Sequence, residues 1–109
     1  MLNTNCYARI IFSIFEKNER MNSAKLNQIL NIKYPIIQAP MFLVSNTAMV
    51  IEAMKSGIAG CIPALNYRTN EELRAAIKEL KSAKVEGGSY GFNLIVNKSN
   101  FLYKEQLAI

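Results

Sequence analysis

Short apolar segments, two of them ended by a proline, alternate along this chain with segments of helical periodicity. The apolar segments are residues 36–39, 58–63 and 90–96, and the first two stop at Pro40 and Pro63. Proline has no amide donor and is confined to the ends and edges of strands, so we interpret these segments as short strands. Strands that alternate with helices over short connections run parallel and are joined by right-handed crossovers. The sequence therefore predicts an α/β fold.

The helix between the second and third strands has the strongest local signals. Thr69 and Glu72 have the spacing of a capping box, in which each side chain bonds the backbone amide of the other residue. The residues that follow recur with helical spacing and form one apolar stripe of Leu73, Ala76, Ile77 and Leu80. The pair Gly87–Gly88 is expected to end this segment.

Three further helical segments are predicted. One covers residues 48–56, with N-cap candidates among residues 44–47 and an end at Gly57, where a left-handed conformation suits glycine. A short helix at residues 23–30 precedes the first strand, and another helix opens within residues 104–109.

The first 22 residues differ from the rest of the chain. An apolar run at residues 10–15 is far shorter than the roughly 20 residues of a membrane helix, and the features of a signal peptide are missing. We expect no membrane association and a cytoplasmic location. Met21 is the expected natural start, so that residues 1–20 have no role in the fold, and we divide the chain into an N-terminal extension of uncertain role, residues 1–22, and the rest. An additional N-terminal helix is the alternative. Residues 23–109 form the expected folded unit.

Composition excludes several classes of site. The chain has no histidine, so it cannot build a Ser-His-Asp triad, a Cys-His pair or a histidine-ligated zinc site by itself. Cys6 and Cys61 are too far apart in sequence for a CxxC unit, which is typical of a reduced intracellular chain, and we expect no metal. The net charge of +5 is spread out, with its densest group on one helix at residues 74–84, so we expect no nucleic-acid partner.

Candidate ligand-binding residues lie near the carboxyl ends of the first and third strands, where α/β folds bind ligands. Ala39, Pro40 and Met41 follow the first strand, and the small side chain of Ala39 allows a flat ligand to approach the backbone. Asn93 places a carboxamide, with two donors and one acceptor oxygen, in an apolar strand. The simpler alternatives are that Pro40 only stops the strand, that Met41 fills the core, and that Asn93 bonds a neighbouring loop.

Three parallel strands with two complete helices leave two sheet edges unpaired. A closed (β/α)8 barrel needs eight such units and typically about 250 residues. We therefore expect residues 23–109 to be the N-terminal part of a (β/α)8 TIM barrel, truncated after about three units. The alternative is a non-catalytic remnant, or a half-barrel that completes itself as a homo-oligomer.

Two motifs carry a resemblance to a known family. The segments at residues 35–41 (PIIQAPM) and 91–94 (GFNL) flank a helix introduced by Ser45, a glycine-rich stretch at 57–60 and the acidic pair before Leu73. Together they resemble the N-terminal part of nitronate monooxygenases, also called 2-nitropropane dioxygenases, which are FMN-dependent TIM-barrel enzymes. The same motifs are shared in looser form with FMN-dependent enoyl reductases, which supply the alternative enzymatic interpretation.

The resemblance implies a flavin oxidoreductase that oxidises alkyl nitronates with molecular oxygen. It implies that Ala39, Pro40 and Met41 lie against the isoalloxazine ring of FMN, chiefly through their backbone, and that Asn93 hydrogen-bonds the polar edge of the ring. Many family members use a histidine and phosphate-binding loops from later strands, and this chain contains neither. We therefore assign no catalytic residue here and expect weak or undetectable FMN binding by the isolated chain.

Overall fold

The computed structural model describes residues 23–109 of the chain, and the predictions made for residues 1–22 lie outside that range. The elements follow one another as α1 (Ser23–Leu30), β1 (Ile37–Gln38), α2 (Thr47–Lys55), β2 (Ala59–Pro63), a 3-10 turn (Ala64–Asn66), α3 (Asn70–Ser82), β3 (Ser89–Asn93) and α4 (Tyr103–Leu107). None of the helices within these residues is both long and apolar enough to cross a membrane.

The three strands form one parallel sheet in the order β1-β2-β3. Gln38 lies beside Gly60, and Gly60 lies beside Tyr90 on the other side. The pairing of β2 with β3 continues to Pro63 and Asn93. The predicted α/β class and parallel alternation are thereby confirmed. Within residues 23–109, no strand pairs with the outer edge of β1 or of β3.

Helix starts follow the predicted capping chemistry. The Thr69 hydroxyl accepts a hydrogen bond from the Glu72 N–H (3.2 Å), and the Glu72 carboxylate accepts one from the Thr69 N–H (3.3 Å). This capping box is confirmed. Asn46 is the N-cap of α2, and its side-chain oxygen accepts from the Met49 N–H at 2.9 Å. Gly57 follows the end of that helix with φ 83°, as predicted.

Most element boundaries differ from the predictions, in α2 and at the start of β2 by one residue. β1 has two residues where residues 36–39 were expected, and β3 ends at Asn93 and does not reach residue 96. β3 stops because its neighbour β2 turns into the 3-10 turn after Pro63 and offers nothing further to pair with. α3 ends at Ser82, before the two glycines, because the following Val85 turns back to pack on the core. The last helix starts one residue early and ends at Leu107.

The core lies between the sheet and helices α2 and α3. Four large side chains are fully or almost fully excluded from solvent, namely Val50, Met54, Ile62 and Leu80. The predicted stripe of α3 is buried at Leu73, Ala76 and Leu80, whereas Ile77 is only half-buried.

Helix α2 packs directly on the sheet because glycines face it. A Cβ on Gly60 would lie 2.9 Å from the Cα of Val50, which is closer than side-chain carbons approach backbone in folded proteins. Only glycine fits at this point, and it lets the backbone of α2 lie against β2. The helix that follows β1 is therefore held at a defined height above the sheet.

Candidate functional site

The two faces of the sheet differ in what covers them. Ile62 belongs to the core beneath the helices, and its neighbour across the ladder, Phe92, packs against the same core. Because side chains alternate between faces along a strand, Cys61 and Asn93 lie on the opposite face, away from α2 and α3. A Cβ on Gly91 would lie 3.6 Å from the Cys61 sulfur, which agrees with this assignment. Around Cys61, Gly91 and Asn93, the face opposite α2 and α3 is thus lined by small side chains.

Asn93 stands at the carboxyl end of this face. It is the last residue of β3, pairs with Pro63 and is half-buried. Its side-chain carboxamide makes no hydrogen bond to any other group within residues 23–109. The simpler alternative, a bond to a neighbouring loop backbone, is therefore not seen in the part of the chain that the structure describes. Within residues 23–109, no group competes with a ligand for this amide.

Ala39, Pro40 and Met41 lie at the same end of the sheet as Asn93. They follow β1, which runs parallel to β2 and β3. Since β2 lies between them, two strand spacings, about 10 Å, separate β1 from β3 across the sheet, and in the register β1 ends level with Tyr90, three residues before Asn93. The structure places the two predicted groups on the same edge of the sheet without direct contact.

The individual residues of this segment differ in exposure. Ala39 is exposed and Pro40 is half-buried. The Met41 side chain is 40% exposed, so the interpretation of Met41 as a core-filling residue is wrong, whereas Met54 is fully buried. Met41 and the next three residues, 42–44, form a run of exposed apolar side chains at the loop tip.

The backbone of Met41 is occupied by its own loop. Its N–H donates to the Ser45 hydroxyl oxygen at 2.8 Å. Its carbonyl oxygen accepts from the N–H groups of Val44 (3.1 Å) and Ser45 (2.9 Å). A ligand at this point would therefore meet the thioether side chain of Met41, and backbone contacts would come from Ala39 and Pro40.

Two prolines end the backbone pairing between β1 and β2. The Ala59 N–H donates to the Ile36 carbonyl at 3.1 Å. Bonding groups recur at every second residue of a parallel ladder, so the next donors after Gln38 and Cys61 stand at positions 40 and 63. Both are proline, which has no N–H. Within residues 23–109, no backbone hydrogen bond consequently joins β2 to the residues that follow Gln38, 39–46.

The pairing of β2 with β3 does not suffer from Pro63. The Ser89 N–H donates to the Ile58 carbonyl at 3.3 Å, so the backbone groups of β2 that face β3 are those of its even-numbered residues. The backbone groups of Pro63 face β1, so its missing N–H weakens only the pairing of β2 with β1. This asymmetry leaves a gap in backbone bonding beside Pro40 while Asn93 stays fixed.

Two polar residues that the sequence interpretation missed organise this end of the sheet. Ser45 was considered only as an N-cap candidate, yet it is 4% exposed and its hydroxyl holds the Met41 amide. Asn66 was not singled out. Its side-chain oxygen accepts from the Leu43 N–H and its amide donates to the Ser45 carbonyl, both at 2.9 Å. A carboxamide just after a proline-ended strand was the available signal.

Burial raises the pKa of two groups near the sheet, which keeps both neutral. One is the half-buried Cys61 thiol. A raised pKa means that Cys61 is not an activated nucleophile. Burial, followed by the negative charge of Glu79, raises the pKa of the Tyr67 hydroxyl.

An open groove of about 520 Å³ lies elsewhere, between β1 and α2. Gln38, Met49, Ala53 and Ile58 are among its lining residues, and none of the four candidate residues lines it. The side-chain oxygen of Gln38 is buried without a partner within residues 23–109. The groove is on the helix side of β1, so it is separate from the free amide of Asn93.

Comparison with known proteins adds no assignment to this geometry. No protein-family model matches the chain, and it has no significant match among curated proteins or solved structures. Its function therefore has to be argued from the sheet, its carboxyl end and the side chains placed there.

Proposed function

We propose that residues 23–109 form one wall of an FMN site in a nitronate monooxygenase-like flavin oxidoreductase built on a (β/α)8 barrel. The observation that carries the proposal is the carboxamide of Asn93, which has no hydrogen-bond partner within the described residues and stands at the carboxyl end of β3. Parallel α/β sheets bind their ligands at that end.

The residues at this end suit the ring of a flavin. The polar edge of an isoalloxazine carries carbonyl oxygens and a ring N–H, and a carboxamide can donate to the former and accept from the latter. A flat ring also needs a surface without protruding side chains, which Ala39, Gly91 and Cys61 supply on the face opposite α2 and α3. Pro40 adds an apolar contact that makes no demand for a hydrogen bond.

The protein and the cofactor have separate tasks in this proposal. Bound FMN would supply the redox chemistry by which alkyl nitronates are oxidised with molecular oxygen. Asn93 orients the polar edge of the ring, and the segment from Ala39 to Met41 covers one side. No glycine-rich loop leads from a strand into a helix within residues 23–109, so phosphate contributes little to the affinity. Binding by this chain is expected to be weak.

The test is a titration of the ¹⁵N-labelled chain with FMN, followed by NMR. We expect the side-chain amide signals of Asn93 and the backbone signal of Ala39 to shift, with a dissociation constant in the millimolar range. AMP, which carries a phosphate and a different ring, should leave both unshifted. Asn93→Ala should abolish the response, whereas Asn97→Ala, which removes an exposed carboxamide from the turn after β3, should preserve it.

Three outcomes would contradict the proposal. If millimolar FMN causes no shift at Asn93, residues 23–109 do not form a wall of an FMN site. Shifts confined to Met49 and Ala53 would place the ligand in the groove beside α2 instead. Submicromolar affinity would mean that the chain also has a phosphate-binding site, which the proposal does not include.

A further inference from the structure

Beyond the paired residues of β1 and β2, one side chain in the described part of the chain makes the hydrogen bonds between the segments that follow the two strands. Pro40 and Pro63 remove the backbone bonds that would continue the ladder, and within residues 23–109 the only hydrogen bonds between residues 39–46 and 61–69 are the two made by Asn66. A carboxamide has the same donor and acceptor as a peptide group. The Asn66 side chain thereby makes a connection that the backbone cannot make, because Pro40 and Pro63 have no N–H.

This bridge determines the shape of the loop that carries Met41. Leu43 has φ 58°, a left-handed conformation that is unfavourable for a branched side chain. The Leu43 N–H is held in place by the Asn66 oxygen, and the Ser45 carbonyl is held by the Asn66 amide. Ser45 in turn bonds the Met41 amide. A continuous set of hydrogen bonds thus runs from the end of β2 to Met41.

We infer that Asn66 is a positioning residue for the flavin wall, which rests on the function proposed above. Asn93 is fixed by the β2–β3 ladder, whereas within residues 23–109 the loop that follows Gln38 and carries Met41 is hydrogen-bonded to the end of β2 through the two bonds of Asn66 alone. The carboxamide of Asn66 therefore determines how far apart the two halves of the wall stand. A ring that contacts both halves requires that separation to be constant.

The experiment compares the wild-type chain with Asn66→Ala, Asn66→Asp and Asn70→Ala. The aspartate keeps the acceptor for Leu43 and loses the donor to Ser45, so it separates the two bonds. Asn70→Ala removes another carboxamide bond between elements, the one to Glu105 (3.0 Å), and is the matched control for a general loss of stability. Amide exchange, urea unfolding and the FMN titration are measured on each chain.

In Asn66→Ala we expect the Leu43 amide to exchange at least roughly fivefold faster and the dissociation constant for FMN to rise by at least about fivefold, while the urea midpoint falls no more than in Asn70→Ala. Asn66→Asp should keep the Leu43 amide protected and still weaken FMN binding. Asn70→Ala should leave both the Leu43 exchange and the FMN affinity unchanged. If Asn66→Ala does not fold, the aspartate variant decides the question through the same two readouts.

The outcomes separate the two proposals. Unchanged Leu43 exchange in Asn66→Ala overturns the inference whether or not flavin binds. Faster exchange with an unchanged FMN dissociation constant overturns it as well, because the loop would then move without affecting the wall. Absence of an FMN response in the wild-type chain overturns the proposed function and the flavin role of Asn66 with it, and is recognised without any variant.

Discussion

Gly88 lies so close to the backbone of Met54 that a Cβ at position 88 would stand 2.2 Å from the Met54 carbonyl oxygen. Gly88 immediately precedes β3, and Met54 is in the last turn of α2. The contact therefore fixes the start of the strand that carries Asn93 against the helix that follows β1. Since the nearest atoms are backbone, no side-chain rotation can relieve the overlap.

Gly88→Ala should for this reason be strongly destabilising. We expect a loss of about 3 kcal/mol or more in the free energy of unfolding, at the upper end of what overpacking causes. Gly91→Ala is the matched control, because its Cβ would meet only the Cys61 sulfur at an ordinary 3.6 Å. Urea unfolding followed by circular dichroism measures both. Equal midpoints for the two variants would show that α2 and β3 are not packed as described.

Two residues of the apolar stripe of α3, Leu80 and Ile77, should contribute differently to the free energy of unfolding. Leu80 is fully buried in the core, whereas Ile77 is half-buried. Leu80→Ala is expected to cost about 2–5 kcal/mol, and Ile77→Ala less than half of that. Urea midpoints can be compared directly if the free energy of unfolding falls with urea concentration at the same slope in each variant. A larger loss at Ile77 would mean that α3 is rotated about its axis.

Local signals predicted most of the fold because they act within one turn or one strand. Thr69 and Glu72 cap α3 through bonds between residues three apart, and such spacings are visible in the sequence. Pro40 marks the end of β1 because proline lacks a donor wherever it stands. That the strands run parallel follows in turn from the alternation of strands and helices.

Relationships between distant residues could not be predicted in this way. Asn66 accepts a hydrogen bond from Leu43, which is 23 positions away in the sequence. The residues adjacent to Asn66 or to Leu43 do not indicate that the two are partners. The exposure of Met41 depends on the Ser45 bond that turns its loop outward. Likewise, β3 ends at Asn93 because β2 turns away after Pro63. The end of β3 is therefore determined by the neighbouring strand, and the apolar residues 94–96 do not indicate it.

The role of the prolines in the β1–β2 gap can be tested by restoring a donor. In Pro40→Ala the new amide stands where the ladder would next donate to the Cys61 carbonyl, so we expect this amide to be protected from exchange by roughly tenfold or more. Pro35→Ala is the control, because Pro35 is exposed and precedes the paired part of β1. Its new amide should exchange without protection. Equal, unprotected exchange at both positions would show that the ends of β1 and β2 are held apart by something other than the missing donor.

Stability should fall at alkaline pH because two groups release protons less readily in the folded chain. Burial raises the pKa of Cys61 above its ordinary 9.0, and burial together with Glu79 raises that of Tyr67 above 10.0. A raised pKa means that the folded state keeps a proton which the unfolded state gives up. The resulting stabilisation is complete below the ordinary pKa and is lost as the pH rises through the folded-state value. Cys61→Ala with Tyr67→Phe, which keeps the ring beside Phe92, should flatten the fall in unfolding free energy measured in urea between about pH 8 and pH 10.5. Parallel curves for the wild type and the double variant would contradict the assignment.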